Sequence, residues 1–224
     1  MDRAVIFDFD MTLVDYHEID KKAMLSIISD LNNVIDHTQF YERSGEIIRE
    51  FYNTGKIFGD DIHKQRIMAV LQEHSIDYNV KYLHEYLRIY LNEVSVFDGV
   101  LKFLEEHRCK YKIGLLTNST DIKCQRRRIE KSGLMSYLDT ICIAGEIGKY
   151  KPNSDSFLEV AHRLQVKAKH AIFIGDSETF DIVGAKNAGM LAIKKDNGPI
   201  KNTVADARFQ DFAELGSILR KLEI

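Results

Sequence analysis

In "FDFDMTLVD", residues 7–15, two carboxylates stand two positions apart at the end of an apolar run, and Thr12 and Asp15 follow closely. Ionised carboxylates repel one another and resist burial, so Asp8 and Asp10 require bound positive charge. Two apart in extended chain, they project to the same side, where one can attack an electrophile while the other handles a proton. Other reactive residue types also follow apolar runs. Thr117 ends "KIGLLT", with Asn118 and Ser119 next; Lys151 follows "TICIA" and a glycine-containing loop; Asp176 and Asp181 lie in "GDSETFD" at the end of "AIFIG". Four carboxylates against one lysine leave an excess of negative charge that calls for a divalent cation. All-oxygen ligation with no nearby Cys or His pair favours Mg²⁺ over Zn²⁺. A metal, a lysine and hydroxyl or amide donors around a nucleophilic carboxylate suit a phosphoryl group, so the reaction class expected is phosphoryl transfer.

The elements that must position these residues are legible as short apolar runs: "AVIFDF" from Ala4, "KIGLLT" from Lys112, "TICIA" from Thr140, "AIFIG" from Ala171 and "MLAIK" from Met190. Near-continuous apolarity predicts strands buried on both faces of a parallel sheet. Helical periodicity separates the later four: Val100, Leu101, Phe103 and Leu104; Ile122 to Ile129, closed by Gly133; and Phe157, Val160, Ala161 and Leu164. The fold class expected is α/β, a doubly wound parallel sheet, whose ligands sit beyond the carboxyl ends of the strands.

About a hundred residues separate the first two strands, far more than the dozen or so a crossover needs. Ile19, Ala23, Ile27 and Leu31 at spacing four, and Val80, Leu83, Leu87, Leu91 and Val94 at spacings of three and four, predict helices there. Two more are expected over about 38–53 and 60–74. Residues 16–94 therefore read as an inserted all-helical cap, and 1–15 with 95–224 as the α/β core. Asp211 and Glu214 form a capping-box pattern that opens a last helix striped by Phe212, Leu215, Ile218, Leu219 and Leu222.

Composition narrows the function classes. The chain has 224 residues, 45% of them apolar, and a formal net charge of -3 with acids and bases mixed. That argues against general binding to nucleic acid or an anionic membrane and leaves a small molecule as the expected partner. Cys109, Cys124 and Cys142 form no CxxC pair and suit a reducing cytoplasm; Cys142, inside "TICIA", reads as a core residue. No stretch approaches a membrane span. The "RRR" run at 126–128 reads as a solvated helix face without a function.

"DFDMT", "LLTNS", "GKYKPNSDSF" and "GDSETFDIVGAKNAGM" resemble, in order and spacing, the four motifs of the haloacid dehalogenase-like hydrolase superfamily, and the inserted segment resembles its C1-type cap. The resemblance implies a Mg²⁺-dependent phosphatase acting on a small phosphorylated metabolite: a phosphoglycolate-like compound, a sugar phosphate or a nucleotide. It implies Asp8 as the nucleophile that forms an aspartyl-phosphate and Asp10 as the acid that protonates the leaving oxygen and then activates water. Thr117, Asn118 and Lys151 would bind the phosphoryl oxygens. Asp8 and Asp176 by side chain, with Asp10 through its carbonyl, would hold Mg²⁺, and Asp181 would support that shell or orient Lys151. Pro152 biases Lys151 toward extended geometry and keeps it projecting from a loop. Met11 stands where related chains commonly have glycine, so a positive φ there would strain it.

Asp10 argues against dehalogenation, because a carbon–halogen substrate has no leaving oxygen to protonate. A mutase of the β-phosphoglucomutase type shares the core. A receiver domain, which also phosphorylates a strand-end Asp, fits less well, since Asp10 favours turnover over a lasting mark; a non-catalytic phosphate-binding protein is the remaining alternative. The cap is expected to exclude water and select the leaving group, with Arg43, Arg49 and Lys56, and beyond them His63 and Arg66, as candidate contacts and "NTGKIFGDD" as the loop carrying Lys56. A monomer or homodimer is expected.

Overall fold

The computed structural model describes residues 3–29, 35–53, 61–198 and 202–222. Its six strands are β1 (Ala4–Phe7), β2 (Lys112–Thr117), β3 (Thr140–Ile143), β4 (Ala171–Gly175), β5 (Leu191–Lys195) and β6 (Ala207–Phe209). All pair in parallel, in the order β3-β2-β1-β4-β5-β6. The order runs outward in both directions from β1, so the strand direction of travel reverses between β1 and β4, the place where doubly wound sheets bind ligands. Five strands lie where the apolar runs predict them. β6 was not foreseen: three residues at a sheet edge, with Arg208 in the middle, carry no hydrophobic signature.

The helices are α1 (Tyr16–Ser26), α2 (His37–Asn53), α3 (Ile62–Glu73), α4 (Val80–Tyr90), α5 (Val100–His107), α6 (Ile122–Lys131), α7 (Ala144–Ile147), α8 (Ser154–Arg163), α9 (Val183–Asn187) and α10 (Phe212–Lys221). Alternation along β1 feeds two cores. Ile6 joins Leu116, Phe157, Val160, Leu164, Phe173 and Ala185 on the face covered by α8 and α9. Phe7 points to the opposite face and meets Phe103 of α5 and Phe212 of α10 at ring-centroid distances of 5.9 and 6.4 Å. Each such side chain, fully buried, contributes about 1.5–3 kcal/mol. Helix ends follow the sequence: Asp211 and Glu214 complete the capping box of α10, and Asp121 caps α6 by accepting from the Cys124 N–H. Cys142 is buried in the sheet, and burial pushes its thiol up to about 11, which makes it inert packing.

The chain divides into two compact units, residues 1–16 with 95–224, and residues 17–94. The second is wholly helical in its described residues. Its interior holds an ion pair: Arg66 donates to both Asp20 oxygens at 2.7 and 2.9 Å, to the Ser44 carbonyl at 3.0 Å and to Ser44 Oγ at 2.9 Å, while the Tyr86 hydroxyl donates to Asp20 Oδ1 at 2.8 Å. Arg66, a candidate contact for the leaving group, is instead part of this unit's core, 1% exposed with four of its N–H groups donated to Asp20 and Ser44. The buried face of α4 also differs from the stripe expected. Tyr82, Tyr86, Ile89 and Tyr90 are inside, whereas Val80 is 52% exposed and Leu83 and Leu87 are only half-buried. Tyrosines can line a core when their ring faces stack, and Tyr86 and Tyr90 do so on each other and against His63. Among the described residues, no helix is long and apolar enough to cross a membrane.

Candidate active site

The carboxyl ends of β1, β2 and β4 bring most of the sequence-predicted residues together. The Asp8 N–H donates to the Ile174 carbonyl at 2.9 Å, so β1 and β4 are tied together up to the point where their reactive residues begin. The Lys151 ammonium donates to Asp8 Oδ1 at 2.6 Å and to Asp181 Oδ1 at 2.7 Å, with all three side chains at most 9% exposed. Asp181 reaches the lysine because a π-helical turn over Glu178–Ile182 folds it back onto β4, where its Oδ2 accepts from the Ser177 N–H at 2.9 Å. That approach requires a glycine: a Cβ on Gly175 would sit 2.4 Å from the Asp181 carboxyl.

Asn118 holds the lysine loop. Its Oδ1 accepts from the Lys151 N–H at 2.9 Å and its Nδ2 donates to the Lys151 carbonyl at 3.0 Å, so the side chain expected on the phosphoryl group is engaged with backbone. The Lys151–Pro152 peptide is cis. Met11 adopts φ 61°, a positive value that glycine takes without strain. Hydrogen bonds hold it there: its N–H donates to the Val14 carbonyl at 2.8 Å, and its own carbonyl accepts from Asn197 Nδ2 at 2.8 Å.

Asp8, Asp176 and Asp181 each present a carboxylate oxygen, all within 4.8 Å of one another. Three carboxylates around one ammonium leave two negative charges uncompensated. Burial raises the Asp8 carboxyl well above the usual range; Lys151 opposes this, and Asp181 and Asp176 add to it. Asp176 is pushed up to about 7 by burial and then by Asp181. Lys151 moves up as well, because Asp181 and Asp8 outweigh the burial that would lower it. Such a cluster holds a proton or takes a cation, and hard oxygen donors at this spacing fit a divalent one.

Asp10 is not one of the three clustered carboxylates, and its side chain is held from α6. Arg128 Nη2 donates to its Oδ1 at 2.6 Å and Nη1 to its Oδ2 at 3.0 Å, while Gln125 Nε2 donates to Oδ2 at 3.1 Å and to Thr117 Oγ1 at 3.0 Å. Thr117, 1% exposed, accepts there and keeps its own proton for a further acceptor. Arg128 corrects the reading of "RRR" as a solvated face. Arg127 is exposed and Arg126 pairs with Glu146, but Arg128 is 1% exposed. The available signal was helical spacing, since Gln125, Arg128 and Ile129 share one face of α6 at intervals of three and four.

The positively charged candidates in the helical unit fare differently. Arg43 is taken up by Glu73, Glu46 and Glu50, at 2.7, 3.0 and 3.1 Å. Arg49 is exposed, and Lys56 with its loop lies outside the described residues. His63 packs against Tyr86 and Tyr90.

A family model described as haloacid dehalogenase-like hydrolase matches residues 5–194, which span every residue of the strand-end cluster. The chain belongs to the haloacid dehalogenase-like hydrolases. This hydrolase is 27% identical to glyceraldehyde 3-phosphate phosphatase of Methanopyrus kandleri, over 87% of its own length and 84% of the relative's. It is also 27% identical to human N-acylneuraminate-9-phosphatase, over 99% of its own length and 95% of the relative's. The crystal structure of YfnB from Bacillus subtilis, bound to magnesium, superposes with a TM-score of 0.81 at 24% identity, covering 97% of the hydrolase and 98% of that chain. At that identity the superposition establishes the shared fold.

Proposed function

We propose that this hydrolase releases phosphate from a small phosphomonoester, a sugar or triose phosphate foremost, through an aspartyl-phosphate on Asp8. The observation that carries the reading is the juxtaposition of a buried Asp8 paired to Lys151 at 2.6 Å with a second acid, Asp10, two residues on. Lys151 holds Asp8 by one oxygen and offers its charge to an incoming phosphoryl group, and Thr117 has a hydroxyl proton to donate. In the first half-reaction an Asp8 oxygen bonds to phosphorus as the bond to the leaving oxygen breaks, and the Asp10 carboxyl gives that oxygen its proton. In the second, Asp10 takes a proton from water, the water oxygen bonds to phosphorus and the Asp8–phosphorus link breaks. Asp10 ends protonated and Asp8 ionised, as they began.

Mg²⁺ is the cation proposed, with Asp8 and Asp176 as side-chain ligands and Asp181 within reach; when bound it neutralises charge on the phosphoryl oxygens. The small substrate class is supported by the relatives named as phosphatases of glyceraldehyde 3-phosphate and of N-acylneuraminate 9-phosphate. Three free cysteines fit the reducing cytoplasm as its compartment.

Phosphate release from a panel of glycolate, triose, sugar and nucleoside phosphates, each with Mg²⁺ and with chelator, tests the reading. Mg²⁺-dependent release, ranked by kcat/KM with sugar or triose phosphates ahead, is expected. Conversion of a sugar 1-phosphate to its 6-phosphate without release would assign a mutase instead.

A linked stability measurement addresses the metal. In chelator, Asp176 titrates near 7 in the folded protein against about 3.9 unfolded, so the folded state binds the extra proton. Stability from this group is fully present below about pH 4 and is lost as the pH rises through about 7. Mg²⁺ replaces that proton. At a concentration one hundred times its Kd it should stabilise by about 2.7 kcal/mol, and the rise in Tm should be larger at pH 8 than at pH 5.5, where protons compete. An equal rise at both values would remove Asp176 from the ligand set.

A further inference from the structure

Arg128 is an expensive residue to have placed under Asp10. Its side chain is 2% exposed while the Asp10 carboxylate is 30% exposed, so the guanidinium gives up its water for a partner that keeps some of its own. An apolar side chain at 128 would fill the same space beside Phe9 and Tyr16 without that cost. What the guanidinium adds is orientation. Its two-pronged grip, with Gln125 as a third donor, leaves the Asp10 carboxylate one aim. The grip is itself braced: the guanidinium lies 5.4 and 5.8 Å from the ring centroids of Phe9 and Tyr16, and its Nη1 donates to Gln125 Oε1 at 3.2 Å. Gln125 Nε2 then joins Asp10 to Thr117 Oγ1, linking the proton-handling carboxyl of the β1 loop to the hydroxyl at the end of β2.

We propose that Arg128 and Gln125 are positioning residues of this hydrolase, which aim the Asp10 carboxyl at the leaving oxygen and hold it in register with Thr117. The assignment rests on the phosphatase reading above. Neither residue gives or takes a proton: Arg128 remains a guanidinium throughout, and when Asp10 carries its proton on Oδ1 the grip is kept through Oδ2, which accepts from both Arg128 and Gln125. A small error of aim at such a carboxyl removes much of the benefit of general acid catalysis, which is worth about 10²–10⁴-fold.

The test compares kcat/KM, which reports events up to aspartyl-phosphate formation, for the best alkyl phosphate of the panel and for 4-nitrophenyl phosphate. An alkoxide leaves poorly unless protonated, whereas 4-nitrophenolate leaves without a proton. Arg128→Ala should lose on the order of 10²-fold on the alkyl ester and no more than about 5-fold on the aryl ester, and Gln125→Ala about 10-fold and 2-fold. Arg128→Lys should recover part of the alkyl-ester loss, since an ammonium replaces one prong. The ratio of the two esters is taken on one sample, so partial unfolding cancels. Arg127→Ala, on the exposed side of α6, is the control. Equal losses on both esters, or none on either, would overturn the assignment and leave the phosphatase reading standing. Wild-type protein that releases phosphate from neither ester would overturn both.

Discussion

Asp8→Asn is expected to reduce phosphate release by about 10⁴-fold or more with the fold intact, as losses of a covalent nucleophile do. The amide is nearly isosteric with the carboxylate but cannot bond to phosphorus. It also relieves the site electrostatically: burial and the neighbouring Asp181 and Asp176 disfavour the charged form of Asp8, so the neutral variant keeps two carboxylates around Lys151 instead of three. In chelator, thermal stability should therefore match or exceed that of the parent, while the rise in Tm on adding Mg²⁺ should shrink. Phosphate release, acid-quench mass measurement of the phosphorylated protein and melting curves read these three effects. Turnover within tenfold of the parent would refute Asp8 as nucleophile.

Arg66→Ala should carry the largest cost in stability. It strands the Asp20 carboxylate, 2% exposed, with the Tyr86 hydroxyl as its remaining partner among the bonds described above, and breaking a buried pair in this way costs about 3–5 kcal/mol. Removing both charges together, Asp20→Leu with Arg66→Met, should be neutral or stabilising, because the desolvation cost of both ions disappears. The pair also has a pH signature. Burial alone would raise the Asp20 carboxyl, but the Arg66 charge and the hydrogen bonds from Arg66 and Tyr86 hold it below its ordinary value. Its contribution is therefore present above the unfolded carboxylate pKa and lost as the pH falls through the folded one. Denaturant unfolding of the full chain at pH 7 and pH 3 measures both. A cost below about 1 kcal/mol for Arg66→Ala would show that the pair is not a structural centre of the helical unit.

Much of the strand-end cluster was legible because two regularities are local. A parallel strand covered on both faces needs an unbroken apolar run, and the first residue after each run is delivered to the ligand rim whatever the rest of the chain does. Asp8, Thr117 and Asp176 stand at such ends, and helix signals such as the Asp211 capping box are equally local. The periodicity of α4 misled because tyrosine is polar in a hydropathy count yet packs through its ring, so the Val80–Leu83–Leu87 stripe outranked the face that is buried.

The sequence by itself determined the α/β frame and which residue types stand at its strand ends, because residue type, order and period are properties of neighbours along the chain. Only the tertiary structure decided which charge meets which. Asp10 and Arg128 pair across 118 positions, and Lys151 and Asp8 across 143. A charged side chain at a given helical position looks the same in sequence whether water or a carboxylate faces it. The partner is chosen by strand order and helix rotation, which put β4 beside β1, turned Arg128 inward and left Arg127 in solvent.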